Sequence, residues 1–394
     1  MQRTFKYRLY PNKETEKKLF WTLTRCRELY NAALSERRDA YQYAGKSVTY
    51  NQQQNVLPEI KHEVRTEYED MASHVLQDVL RRLDKAFQAF FRRIKNGEKP
   101  GYPRLQGRNR YDSFTYPDGA GWKFDDKHLH LSKIGSIRVK LHRPLEGKIK
   151  TVTIKREVEQ WYVCFSCEVE ERAKLPLSDE DVGIDLGVTH LATLSNGEMI
   201  EHPQFYRKAK KVLERRQQSL SRKKPGSHRR DKAGKLVAQA HRKVGNQRRD
   251  FQHKASCQVV NRYQVIVFED IKTSNLVHQP KAKQDEATGR YLPNGAAAKG
   301  GLNKSILDAG WGTFVSMCTV KAACAGRTLI KVNPQYTSQI CSGCGTVRKK
   351  DLSERWHSYD CGTELDRDVN AAINILALGH KQLSARTEPT RATA

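Results

Sequence analysis

Residues 182–188 read Val-Gly-Ile-Asp-Leu-Gly-Val, a short apolar stretch with a single acid at its centre. Apolar runs of this length, rich in β-branched residues, are typical of buried strands. The acid is unexpected there, because burying a carboxylate costs free energy unless a partner compensates it. The stretch therefore predicts a core strand of an α/β domain that ends in a functional carboxylate, Asp185.

Two further acids occupy comparable positions. Glu269 directly follows the apolar strand candidate 265–268, and Asp368 begins the predicted helix 369–378. Carboxylates from distant segments can converge to hold two Mg²⁺ ions about 3.5–4 Å apart, an arrangement that activates water against a phosphodiester. Mn²⁺ suits the same ligands. We therefore expect a metal-dependent nuclease site.

Simpler interpretations of the acids remain open at this level. Asp185 could be a turn residue, Glu269 a surface charge and Asp368 a helix cap. The neighbouring Asp270 and Asp366 compete for two of the places, and spacing alone does not choose between neighbours.

The chain is also strongly basic. Its 394 residues include 71 Lys and Arg against 44 Asp and Glu, a formal charge of +27. Such an excess destabilises a folded protein unless a polyanion neutralises it, and nucleic acid is the usual polyanion. No apolar run approaches the roughly 18 residues of a membrane span, and residues 1–12 do not resemble a signal peptide. We expect a multidomain nucleic-acid-binding protein of the cytoplasm or nucleoid, without a membrane partner or small-molecule substrate.

Hydrophobic periodicity divides the chain. A strand over 3–10, helices with apolar residues recurring at 19–33 and 76–94, and strands from about 112 to 170 predict a small β-barrel, 1–10 and 100–177, with a helical insertion, 11–99. A linker is expected near Pro176. Residues 278–303 predict a mobile loop, and residues 381–394 a disordered tail.

Many of the basic residues lie on predicted helices, including a long arm at 207–250 that is broken near Pro225-Gly226. They are candidate contacts with a nucleic-acid backbone, and a solvated helix face is the alternative. The candidates are Arg81, Arg82, Lys85, Arg215, Arg216, Arg222, Lys223, Lys224, Arg229, Arg230 and Arg248.

The cysteines indicate a possible Zn²⁺ site rather than disulfides. Cys341 and Cys344 form a knuckle with zinc-ligand spacing, and Cys361 follows at the distance expected of a second knuckle. The partner expected at position 358 is a serine, Ser358. His357 could complete a Cys₃His set, or the site is degenerate.

Four blocks, in order, resemble the signature blocks of TnpB proteins, which are encoded by insertion sequences and related to type V CRISPR effectors. The blocks are Gly183–Gly187, Phe268–Asp270, Tyr336–Gly345 and Asp366–Asn374. The resemblance implies an RNase H-like RuvC nuclease domain, 182–335 and 366–380, with Asp185, Glu269 and Asp368 as the catalytic metal ligands. It selects Asp368 because this acid immediately precedes Val-Asn-Ala-Ala.

The same resemblance implies an N-terminal wedge barrel with a helical recognition insertion, and a zinc-ribbon-like insert at 336–365 that departs from the family at Ser358. Similar proteins bind a transposon-end guide RNA, recognise a short motif beside the target and cut double-stranded DNA. Three alternatives are a nuclease-dead repressor, a transposase and a junction resolvase. All three acids are present, and His128-Leu129-His130 has no evident tyrosine partner, which argues against the first two. A resolvase does not need so much basic, non-catalytic chain.

Overall fold

The computed structural model describes residues 1–108, 110–171, 173–349, 351 and 354–387. The chain divides into two compact units, residues 1–171 and the remainder. None of the helices in these described ranges is long and apolar enough to cross a membrane.

A seven-stranded sheet forms the frame of the first unit. Its strands are β1 Gln2–Tyr10, β2 Ser113–Tyr116, β3 Trp122–Phe124, β4 His128–Leu131, β5 Gly135–Lys140, β6 Lys148–Glu157 and β7 Gln160–Glu168. They pair antiparallel in the order β2-β6-β7-β1-β5-β4-β3. Alternate side chains of β1 are buried, as the sequence periodicity predicts.

The sheet is strongly curled. The ring centroids of Phe124 in β3 and Phe165 in β7 lie 5.0 Å apart, although three strands separate β3 from β7 in the sheet. In a flat sheet that separation would be about 19 Å, at roughly 4.8 Å per strand. Hydrogen bonding among the described residues leaves β2 and β3 as edges, so the closed barrel stays a prediction.

The predicted helical insertion lies between β1 and β2. Its helices are α1 Lys13–Ala44, α2 Tyr50–Glu59 and α3 Ser73–Lys95, with a π turn Ile60–Val64 and a 3₁₀ turn Thr66–Asp70. Asn12 caps α1, because its side chain accepts a hydrogen bond from the backbone N–H of Thr15 at 2.8 Å. Leu19 and Leu76 share one hydrophobic core with Phe165, so the insertion and the sheet pack as one body.

The second unit is built on a five-stranded mixed sheet. The strands of this unit are β8 Asp181–Asp185, β9 His190–Leu194, β10 Met199–Glu201, β11 Val265–Glu269, β12 Lys283–Gln284, β13 Tyr291–Leu292, β14 Thr328–Val332, β15 Trp356–Ser358 and β16 Glu364–Asp366. The main sheet has the order β10-β9-β8-β11-β14. β11 is parallel to both β8 and β14. β9 is antiparallel to its neighbour β8, and β10 is antiparallel to β9.

Helices cover both faces of this sheet. They are α4 Phe205–Ser221, α5 His228–Arg262, α6 Thr273–Leu276, α7 Ala296–Ala309, α8 Trp311–Ala325 and α9 Arg367–Thr387. Phe268 packs against Phe314 of α8, whereas Val267, the preceding residue of β11, packs with Ile375 of α9. Because successive strand residues point to opposite faces, α8 and α9 lie on opposite sides.

Two predictions about flexible segments are wrong in part. The predicted loop 278–303 contains α7 from Ala296 onward, because the alanine run favours a helix and Asn303 donates a hydrogen bond to the Val277 carbonyl at 2.8 Å. The predicted disordered tail is helical as far as Thr387. Within this helical part, Leu383 packs against the hydrophobic cluster that contains Val267 and Ile375. The rest of that tail, residues 388–394, lies outside the described residues.

Candidate active site

Asp185 and Glu269 lie side by side at one edge of the second sheet. Each acid is the last residue of its strand, and the residues before them, Ile184 and Phe268, pair directly in the parallel ladder. In open α/β sheets the carboxyl ends of parallel strands form the crevice in which ligands bind. The strand-end position of both acids is as the sequence predicts.

Asp368, the second residue of α9, belongs to the same electrostatic neighbourhood. Burial, together with the negative charges of Glu269 and Asp368, raises the pKa of Asp185 to about 8. Like charges affect each other this way only when they are close and poorly screened by water. Tertiary folding therefore brings the three acids near one another, where a bound cation would favour their ionised forms.

Asp366, the competitor of Asp368, has a different role. Its carboxylate accepts hydrogen bonds from the backbone N–H of Asp368 at 2.8 Å and of Val369 at 3.4 Å, and so caps α9. Asp270, the competitor of Glu269, is exposed just beyond the strand end. The local geometry thus favours Asp368 and Glu269 as the candidate metal ligands.

Two neighbours of these acids are not among the residues predicted from sequence. The Thr337 hydroxyl donates a hydrogen bond to Glu269, and Arg355 Nη1 lies 3.5 Å from Asp368 Oδ2. Burial raises the pKa of Glu269, and the bond from Thr337 opposes that rise. Burial also raises the pKa of Asp368, as does the Asp366 charge, whereas Arg355 lowers it. Thr337 lies within a signature block, but no pattern in the sequence indicates its contact.

A cavity of about 270 Å³ lies beside Glu269, between the end of β11 and helix α8. Its lining includes Trp311 and Lys331. Trp311 is fixed by a hydrogen bond of 2.9 Å from its indole N–H to the Gly187 carbonyl. Of the three candidate acids, Glu269 therefore faces an open cavity on this side.

Two asparagines on α9 hold the knuckle segment against the helix that carries Asp368. Asn370, fully buried, donates to the Ile340 carbonyl at 2.8 Å and accepts from the Ser342 N–H at 2.9 Å. Asn374, one turn later, donates to the carbonyls of Thr337 and Ile340 at 2.9 and 2.7 Å. The active-site helix and the cysteine knuckle are thereby linked.

Cys341, Cys344 and Cys361 come together as the sequence predicts, with their sulfur atoms within 4.8 Å of one another. Burial alone would oppose ionisation of Cys341, but hydrogen bonds from the backbone N–H groups of Cys344 and Gly343 and with the Thr363 and Cys361 side chains together lower the thiol pKa to about 6. Thiolates are soft ligands that suit Zn²⁺. The cluster supplies three ligands of a tetrahedral site.

His357 does not join the cluster. Its imidazole is buried in β15, where Nδ1 lies 3.0 Å from the hydroxyl of Tyr359. The adjacent Ser358 is exposed and donates a hydrogen bond of 3.2 Å to Glu364. The Cys₃His set is therefore not formed, because strand alternation turns His357 into the interior of the knuckle.

The two candidate centres differ in spacing. Within the described ranges, the three thiols form the group of potential metal ligands whose ligand atoms all lie within 4.8 Å of one another. The carboxylate oxygens of the three acids are more widely spaced. Carboxylates that serve two ions need not converge on one point, since each pair can face a different ion. Hard oxygen ligands fit Mg²⁺ or Mn²⁺, so the donor set fits the expected metal.

The predicted backbone-contacting residues fall into two groups. Several are half-buried and hydrogen-bond within the protein: Arg82 to Asp78 and Ser113, Arg216 to the Leu236 carbonyl, Lys223 to Ser219, Arg230 to the Lys223 carbonyl, and Arg248 to Asp308. The others are exposed: Arg81, Lys85, Arg215, Arg222, Lys224 and Arg229. The second group is the better placed for a polyanion.

Comparison with known proteins places the chain in a family. An Escherichia coli (strain K12) protein named "Putative RNA-guided DNA endonuclease InsQ" is 33% identical over 383 residues, covering 96% of this chain and 93% of that protein. A Streptomyces pristinaespiralis protein named "Putative RNA-guided DNA endonuclease" is 35% identical over 386 residues. Residues 164–279 match a family model described as "Probable transposase", OrfB of IS605. The chain belongs to the TnpB family.

Two further family models match parts of this TnpB chain. Residues 311–375 match a Cas12f1-like TNB domain, which spans the cysteine knuckle and Asp368. Residues 1–46 match a helix-turn-helix model, although here they form strand β1 and the single helix α1. The fold itself resembles the protein in a solved Cas12f1–sgRNA–target DNA complex, with a TM-score of 0.56, 14% identity, and coverage of 95% of this chain and 98% of that one.

Proposed function

We propose that this TnpB protein is an RNA-guided endonuclease that cuts double-stranded DNA by phosphodiester hydrolysis. Two relatives that match almost the whole chain carry the name RNA-guided DNA endonuclease, and the similar solved fold is that of an effector bound to guide RNA and target DNA. The observation that carries the chemistry is the clustering of Asp185 and Glu269 at adjacent strand ends with Asp368 close enough to raise the pKa of Asp185.

The second unit would be an RNase H-like nuclease domain of the RuvC type, with 336–365 as its zinc-ribbon-like insert, and the mixed sheet with the order β10-β9-β8-β11-β14 supports this. Asp185, Glu269 and Asp368 would bind Mg²⁺ or Mn²⁺, which supplies activation of water and stabilisation of the leaving oxygen when bound. The chain itself keeps the acids partly away from water and fixes Glu269 through Thr337. Arg355, at the rim, would offset negative charge near Asp368.

The remaining parts would handle the nucleic acids. The curled sheet, 1–10 and 100–177, would act as the wedge and the helices in 11–99 as the recognition domain that reads a motif beside the target. Exposed cations on α4, on α5 and on the segment between them would hold RNA or heteroduplex backbone, while base pairing supplies sequence specificity. Cys341, Cys344 and Cys361 would bind Zn²⁺.

The test has two parts. The protein is purified from cells that carry its native flanking DNA, and the RNA that copurifies is sequenced. A discrete RNA from the 3′ flank supports guiding, whereas random cellular RNA argues for generic polyanion binding. The complex is then given duplex targets that match the guide beside a randomised flank. Cleavage by the wild type and retained binding without cleavage by Asp185→Ala are expected. Binding without cleavage by the wild type would instead indicate a nuclease-dead repressor.

A further inference from the structure

The contact between Thr337 and Glu269 joins two parts of the fold that the sequence separates by 68 residues. Thr337 is 3% exposed and lies on the segment that leads into the cysteine knuckle, whereas Glu269 ends strand β11. A buried hydroxyl beside a strand-end carboxylate fixes which oxygen of that carboxylate remains free. A residue that does this influences metal binding without touching the metal.

Thr337 is itself held by the helix that carries Asp368. The Asn374 side chain donates to the Thr337 carbonyl at 2.9 Å, and both Asn374 and Asn370 donate to the Ile340 carbonyl, at 2.7 and 2.8 Å. Asn370 lies two residues after Asp368, so these bonds fix the hydroxyl on Glu269 relative to the first turn of α9. These hydrogen bonds from Asn370 and Asn374, which we call the bracket, thus connect Glu269, through Thr337, with the helix that carries Asp368.

The Thr337 hydroxyl has a single proton and two acceptors within reach. One is the Glu269 carboxylate, and the other is the Pro334 carbonyl at 3.3 Å. A charged acceptor makes the stronger hydrogen bond, so the proton points to Glu269. The other lone pairs of Glu269 then remain available for a cation.

We propose that Thr337 is a positioning residue that, with its bracket from Asn374, orients Glu269 for divalent-metal binding. The inference rests on the proposed nuclease function, because it assigns a role toward the same metal site. It also explains why the knuckle segment is tied to α9 rather than only to its own hairpin.

The direct test measures Mn²⁺ binding to the full-length, zinc-loaded chain without RNA. The electron paramagnetic resonance signal of free Mn²⁺ reports how much of the ion remains unbound. Thr337→Val keeps the shape but removes the hydroxyl, and should weaken Mn²⁺ binding roughly tenfold. Thr337→Ser keeps the hydroxyl and should bind within about threefold of the wild type. Thr22→Val is the matched control, because Thr22 is also a buried threonine but lies on α1 of the first unit.

The outcomes separate the two levels of inference. Equal Mn²⁺ affinity of Thr337→Val and wild type, or a serine variant as weak as the valine variant, overturns the positioning role. If Asp185→Ala binds Mn²⁺ as well as the wild type does, the acids are not the metal site, and the proposed function fails together with this inference.

A second variant covers the case in which Thr337→Val does not fold. Asn374→Ala leaves the hydroxyl in place but removes the two bonds from Asn374 to the segment, including the one to the Thr337 carbonyl, while the Asn370 bonds remain. It should also weaken Mn²⁺ binding, whereas Thr22→Val should not. Unchanged Mn²⁺ affinity in a folded Asn374→Ala protein would overturn the bracket.

Discussion

Gly183 in β8 lies directly against the carbonyl oxygen of Ala372 in α9, and a Cβ at this glycine would stand 2.1 Å from that oxygen and 2.6 Å from the backbone nitrogen of Leu376. No side chain fits in that space. The glycine two residues before Asp185 thus allows helix and strand backbones to meet, and this close approach brings the beginning of α9, with Asp368, near the strand ends.

Gly183→Ala should therefore destabilise the second unit severely. Both nearest groups are backbone atoms that cannot rotate away, so we expect a loss of about 3 kcal/mol or more in the free energy of unfolding. Thermal or urea unfolding of the RNA-free protein measures it. Gly245→Ala is the matched control, because a Cβ there meets nothing within 4 Å in helix α5, and it should raise stability by up to about 1 kcal/mol. Equal stabilities of the two variants would contradict the packing argument.

Asp185 should make stability depend on pH in the absence of metal. Its pKa of about 8 lies above the ordinary value, so the folded state binds a proton that the unfolded state releases. This contribution is fully present below about pH 4 and is lost as pH rises through about 8.

Asp185→Asn, which stays neutral, should therefore melt higher than the wild type at pH 8.5 in a chelator, by roughly 4 °C or more, with the gap closing toward pH 5. Added Mg²⁺ should raise the melting temperature of the wild type and leave Asp185→Asn nearly unchanged. A gap that does not vary with pH would show that the Asp185 charge is not the cause.

The exposed cations of α4, of α5 and of the segment that joins them should control the salt dependence of RNA binding. Replacing Arg215, Arg222, Lys224 and Arg229 with Gln removes up to four phosphate contacts. Each lost contact should reduce the slope of log K against log salt concentration by about 0.7–0.9. We expect the slope to fall by roughly 3, measured by filter binding between 50 and 300 mM salt. Changing the three arginines to Lys keeps the charge and should keep the slope. An unaltered slope in the Gln variant would place the contacts elsewhere.

Ser358→Cys should increase zinc retention. The three thiols supply three ligands, and a fourth thiolate would complete a tetrahedral set if this side chain can turn toward them. We expect the variant to keep zinc at chelator concentrations that remove it from the wild type. A colorimetric assay of the released zinc measures this. Ser358→Ala should match the wild type, and Cys361→Ser should lose zinc. If Ser358→Cys released zinc as readily as Ser358→Ala, position 358 would lie too far from the cluster.

The sequence by itself determined most of the elements and the candidate ligands, although not the helices within 278–303 and after residue 380. The strand ends at Asp185 and Glu269 and the three cysteines follow from local patterns, because hydrophobic periodicity and short-range spacing depend on neighbours along the chain. The family resemblance added which acid of the Asp366–Asp368 pair to choose, and relatives at 33% and 35% identity confirm the family.

Tertiary structure decided the relations between distant segments. It alone shows that Asp366 caps α9, that His357 turns away from the thiols and that Thr337 contacts Glu269. It also shows that five of the eleven predicted cationic residues form hydrogen bonds within the protein. None of these contacts has a sequence signature, because each depends on where backbones meet in space. Gly183 illustrates this difference. The sequence shows only that the residue is a glycine, whereas the structure shows that the Ala372 backbone lies too close for any larger side chain.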